Sequence, residues 1–139
     1  MRKIFFVIFT FCVFMFFACS EEHKNDTAAA KAAKEYYDSL LAGNYAYFVR
    51  GMYLADTIPD GYREELEANA KMFVERVNEE HHGIREVRIM NCVNDTIHIE
   101  KTDKSVHASE AFLVFCFGDS LNEEVVVPMV FHKNRWLMR

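Results

Sequence analysis

The side chains able to carry chemistry in this 139-residue chain are few and scattered. Six histidines and four cysteines supply the nucleophiles and soft ligands. His81 and His82 are adjacent, so on a helix their side chains point about 100° apart and do not share an ion; at a helix C-terminus an imidazole complements the dipole instead. His98, His107 and His132 fall on strand-like segments. They could converge on a metal if the fold brought them together, but no spacing compels it, and solvated strand positions suit them better. The chain contains no Gly-rich phosphate loop, no nucleophile elbow, no His-Glu-x-x-His helix and no Cys-x-x-Cys pair. Neither a metal nor a cofactor is therefore expected.

The cysteines sort once the first twenty residues are read. Arg2-Lys3 precedes an apolar run from Ile4 to Phe17, broken only by Thr10 and followed by Ala18 and Cys19. That order is a secretory signal, and the run falls short of the roughly 20 residues a spanning helix needs. Phe16-Phe17-Ala18-Cys19 resembles the lipobox of bacterial lipoproteins, with Phe16 where Leu is usual. The resemblance implies that residues 1–18 are a discarded leader and that Cys19 carries lipid. Ser20-Glu21-Glu22 resembles the acidic tag of surface-exported lipoproteins in Bacteroides-type bacteria, and Ser20 is not the Asp that retains Gram-negative lipoproteins at the inner membrane. The address implied is the outer membrane, lipid-anchored, facing the periplasm or the cell surface. Residues 19–27 then form the lipidated Cys and a polar tether, whose eight or so residues reach at most about 25 Å.

The leader distorts every average. It holds 7 of the 13 phenylalanines, so the overall 51% hydrophobic content overstates the domain that follows. Losing Arg2 and Lys3 with it moves the formal charge from −5 to −7, which argues against nucleic acid as a partner. Cys12 leaves with the leader and Cys19 goes to lipid, so Cys92 and Cys116 remain. In an exported protein they could pair and close a loop of about 24 residues, contributing about 3 kcal/mol. The alternative is two buried thiols acting as small apolar side chains.

From Thr27 the pattern is helical, with Ala29, Ala33, Tyr36, Tyr37, Leu40 and Leu41 at three- and four-residue spacing. Asp26 or Thr27 can cap its start and Gly43 can end it in a left-handed conformation. Asn44 can cap a second helix bearing Tyr45, Phe48, Val49 and Met52, and a third runs from the Pro59-Asp60-Gly61 break to His81-His82 and Gly83. The period then drops to two. Residues 85–101 read as a hairpin turning at Asn94-Asp95, 105–117 as a longer strand, and 124–132 as its return after a turn at 118–122. Lys133-Asn134 is a two-residue turn into Arg135-Trp136-Leu137-Met138. Residues 28–139 thus form one α+β domain, three N-terminal helices packed on a curved antiparallel sheet.

That order, with Tyr36-Tyr37-Asp38-Ser39-Leu40-Leu41-Ala42-Gly43-Asn44-Tyr45 and a terminal strand pair closed by Phe131-His132-Lys133-Asn134-Arg135-Trp136, resembles the nuclear-transport-factor-2-like cone fold. Within it the chain resembles small bacterial lipoproteins whose domains have no known function. The superfamily includes ketosteroid isomerases, in which a carboxylate in an apolar pocket acts as general base. What that implies here is an isomerase- or hydratase-like reading with Glu110 as base and Tyr36, Tyr37 or Tyr53 as hydrogen-bond donor. The reading preferred is a non-catalytic domain that binds a small apolar ligand or a protein partner, with Tyr37, Tyr45, Tyr47 and Trp136 able to line the mouth of the cone.

Residues 111–117 and 125–131 are apolar on both faces, whereas a sheet covered by helices on one side needs only one. The outer face therefore carries either Phe112, Val114 and Cys116 or Leu113, Phe115 and Phe117. Either set is a patch large enough to form a homodimer through the sheet.

Overall fold

A computed structural model describes residues 27–53, 55–99 and 104–139. The leader, Cys19 and most of the tether lie outside the described residues. Small side chains decide how the first helix sits. Helix α1 (Ala28–Leu41) turns Ala29, Ala30 and Ala33 toward the sheet, where all three are fully buried, and Tyr36 and Leu40 continue the stripe. Methyl groups let a helix backbone approach a sheet closely; a larger residue there would cost about 1–3 kcal/mol in overpacking.

The chain reverses at Gly43, whose φ of 86° needs a residue without a Cβ. Helix α2 (Tyr45–Arg50) then starts at Asn44, whose side-chain oxygen accepts the Tyr47 N–H at 3.1 Å as its type suggests. A short 3-10 turn, Ala55–Thr57, which no sequence signal announced, leads to helix α3 (Asp60–His81). That helix is the outermost layer: Ala70 and Val77 are its buried residues.

Strands β1 (Ile84–Ile99), β2 (Lys104–Phe117), β3 (Asn122–His132) and β4 (Arg135–Met138) form an antiparallel meander in chain order. The expected turn at Asn94-Asp95 is absent. Both residues stay in the ladder, opposite Ser109 and Ala108, and neither takes the positive φ that a two-residue turn demands. Lys133 and Asn134 do take it, at 48° and 65°, and make the β3–β4 turn. The edge of β4 meets residues 51–53 through a parallel bridge, Met138 N–H to Gly51 O at 2.7 Å and Tyr53 N–H to Met138 O at 2.6 Å.

Alternation sorts the two faces. Ala111, Leu113, Phe115 and Phe117 of β2 are buried under the helices with Val87, Val127, Met129 and Met138. Leu113 and Phe115 are therefore core, not dimer face; the outward set is Phe112, Val114 and Cys116. The same register answers the disulfide question. Cys92 stands opposite Ala111 on the helix side, whereas Cys116 lies five residues further along β2 on the other face. Five strand residues span about 17 Å, far beyond disulfide reach, and both thiols are free.

One end of the sheet is clasped. The β2–β3 turn folds onto the end of α3, with Gly118 N–H to Gly83 O at 2.8 Å and Asp119 N–H to His81 O at 3.1 Å. A Cβ on Gly118 would collide with the His82 carbonyl. His81 stacks on Phe117 with ring centroids 4.7 Å apart and donates from Nδ1 to Asp119 Oδ2 at 2.8 Å. So His81 does sit in the last helical turn, but its partner is a side chain across the clasp.

That hydrogen bond is the chief reason the Asp119 carboxyl titrates below its ordinary 3.8, against an opposing push from burial. A carboxyl lowered in the folded state stabilises the fold above its unfolded pKa, and the contribution is lost as pH falls through the lowered value. Unfolding midpoints of the chain and of Asp119→Asn, measured from about pH 5 downward, should therefore differ above about pH 4 and converge below it. A constant difference at all acid pH would contradict the role given to this pair.

Candidate functional site

The opposite end of the sheet is open. A cavity of about 360 Å³ lies there between the start of α1 and the strands, lined by Ala28, Asn94, Asp95, His107, Ala108, Phe131 and Trp136. Phe131 and Trp136 pair across the β3–β4 hairpin, ring centroids 5.3 Å apart and tilted by 58°, and form one aromatic wall. Asn94 and His107, from β1 and β2, form a polar wall. A neutral imidazole offers one donor and one acceptor, so His107 can meet either kind of ligand atom. Asp95 at the rim already accepts the Thr96 N–H at 2.7 Å.

Two long-range hydrogen bonds hold the cavity's roof. The Ala30 N–H donates to Cys92 Sγ of β1 at 3.2 Å, taking the place of a Thr27 side-chain cap that does not form. The Tyr36 hydroxyl donates to the Trp136 carbonyl of β4 at 2.7 Å. Cys92 is thus a structural ligand of the helix start.

Of the four aromatics expected at the mouth, Trp136 is there. Tyr37 packs between Phe48 and Phe115, at 5.3 and 5.1 Å, and burial pushes its phenol above its ordinary pKa. Tyr45 packs half-buried against the core. Tyr47 lies against Tyr36 at 5.6 Å and donates to Glu35 Oε1 at 2.7 Å, a bond that, with lesser help from burial, raises its pKa to about 12. Tyr37 is taken up by the Phe48 and Phe115 rings, and Tyr45 and Tyr47 belong to α2, none of whose residues lines the mouth.

Glu110 is on the wrong face for a buried base. It stands exposed between Val93 and Pro128 on the outer side of the sheet, beside a hollow shared with Arg139. Tyr36 is committed to Trp136, and Tyr53 packs edge-on against His132 at 5.3 Å. His98 is exposed near the end of β1, and among the described residues no three His, Cys, Asp or Glu side chains come together. Sequence reasoning missed Ala28, Asn94 and Phe131, and gave His107 no pocket role. Continuing the inward phase of Leu113 and Ala111 back through Ser109 reaches His107.

The crystal structure of a Campylobacter jejuni protein, assigned by inference as an NTF2-like transpeptidase, superposes on the domain with a TM-score of 0.56, covering 76% of this chain and 92% of that one at 13% identity. The fold is NTF2-like. At that identity the likeness carries the fold alone, and no family model and no curated protein matches the chain. The NTF2-like architecture accounts for the cavity's position, at the open end of a cone whose other end is closed by the α3 clasp.

Tyr36→Phe removes a hydroxyl that ties α1 to the last strand and should lower the unfolding free energy by about 1 kcal/mol. Tyr47→Phe, at a more exposed hydroxyl, should change it by less than about 0.5 kcal/mol. Urea unfolding of the two variants checks the order; equal effects would mean that Tyr36 does not hold the roof.

Proposed function

We propose that this chain is a lipid-anchored envelope protein of the outer membrane whose NTF2-like domain binds a small, largely apolar ligand in the mouth of the cone, without catalysis. The observation that carries the reading is the cavity itself, an aromatic wall of Phe131 and Trp136 facing the polar side chains of Asn94 and His107. Such a site buries an apolar body and orients one polar end. The start of α1 adds support. Ala28 lines the cavity, so a tether of at most about 25 Å from a lipidated Cys19 keeps the mouth near the bilayer, where apolar molecules are concentrated. The isomerase-like alternative has lost the base it named, since Glu110 faces away from the cavity.

The test is native mass spectrometry of the detergent-extracted chain from the cells that make it. A bound small molecule is expected, and Trp136→Ala should reduce its occupancy at least tenfold in apparent affinity, about 1.4 kcal/mol. An empty cavity, or a ligand indifferent to Trp136, would count against the reading.

A second proposal concerns the outer face, on which a homodimer would form. Phe112 and Val126 are cross-strand neighbours there, with Val114 and Cys116 half-buried beside them. Exposure of 46% at Val126, 52% at Val93 and 54% at Met90 makes this a sizeable apolar area. Sedimentation of the detergent-solubilised chain should report a dimer, and Val126→Glu a monomer. A monomeric wild-type chain at high concentration would remove the proposal.

A further inference from the structure

A second hollow lies at the same end of the domain but on the outer side of the last hairpin. Alternation sends Phe131 and Trp136 into the mouth, and His132, Arg135 and Leu137 to the opposite face. There they meet the end of α2 and the 3-10 turn around a space of about 50 Å³. Its floor is apolar, made by Met52, Ala55 and Leu137, and its rim holds Arg50, Lys133, Arg135 and His132. Asp56 is the acid among its lining residues.

We propose that this hollow binds a tetrahedral oxyanion, a phosphate group above all. Three fixed cations brought together repel one another, and in a chain of net charge −5 nothing about solubility asks for them. Asp56 offsets one, and the lining keeps an excess of positive charge beside an apolar floor. Two of the cations are arginines, whose planar fork matches phosphate oxygens two at a time. One of them is held: the Arg135 Nη2 donates to the Arg50 carbonyl at 3.3 Å, which ties the hairpin to the end of α2. His132 is fixed by its edge contact with Tyr53, and its ring can donate an N–H in either protonation state. The 3-10 turn is clamped from behind by Arg63, whose Nη2 donates to the Ala55 carbonyl at 3.0 Å. The volume exceeds the roughly 30 Å³ share of one water, enough for a small polyatomic anion and too little for a large organic body.

The phosphate could belong to a soluble ion or to a lipid headgroup. The headgroup source rests on the lipid-anchor reading, because α1 begins at this end of the sheet and a short tether would hold the hollow near the bilayer; the site itself does not depend on it.

Calorimetric titration of the detergent-solubilised full chain with inorganic phosphate at low ionic strength should give saturable one-site binding. The Arg50→Ser, Lys133→Ser double variant changes two exposed side chains and should weaken it at least tenfold, whereas Asp56→Asn should tighten it severalfold. Competition then separates the sources: displacement of phosphate by vesicles containing phosphatidic acid, but not by phosphatidylcholine alone, places the group on a lipid, and no displacement by either places it on a soluble ion. The site stands in both cases. Absence of saturable phosphate binding, or binding that neither set of substitutions alters, overturns it.

Discussion

Helix α1 is a strap across the whole sheet, and most of the structure depends on it. Its third residue bonds to Cys92 in one edge strand and Tyr36 bonds to Trp136 in the other. Six helical residues advance about 9 Å, whereas three gaps between neighbouring strands span about 14 Å. The curl of the sheet and the length of the Tyr36 side chain make up the difference. A curled sheet under a diagonal helix is a cone, and a cone has two unequal ends. One is shut by the α3 clasp at Gly83, Gly118 and Asp119; the other, beside Ala28, stays open.

The strap also explains why alanines dominate the start of α1. Ala29, Ala30 and Ala33 are each fully buried, yet a buried methyl contributes little compared with Leu40 or Leu113. Their value is geometric: they let the Ala30 N–H come within reach of a short thiol. Truncating Leu113 would cost about 2–5 kcal/mol through a cavity. Enlarging Ala33 would instead lift the helix, and the mouth would lose its shape before the domain lost its core.

Much of this order was legible in the sequence, because helix and strand periods differ and the chain changes once, after Gly83. The Gly43, Asn44 and Lys133-Asn134 signals are legible because each depends on local backbone geometry alone. Asn94-Asp95 has turn composition by the same local criterion, but its ladder partners on β2 are ten or more residues away and outweigh it. Alternation separated Phe112 from Leu113 without saying which faced the helices, so the outer patch and the position of Glu110 stayed ambiguous until the strands were docked. The mouth was hardest. Tyr37, Tyr45 and Tyr47 have the right type and lie near the right helix, but a sequence does not say at which end of a cone a residue sits. Trp136 was found because the terminal hairpin fixes its face and its end together.

The proposed function rests on the open end being a binding site. The most direct measurement is an experimental structure of the chain extracted with its lipid from the cells that make it. Density for a bound molecule is expected between the Trp136 ring and the His107 imidazole, with its polar end toward Asn94. A mouth filled by the protein's own side chains, with Trp136 packed inward and no room above it, would contradict it.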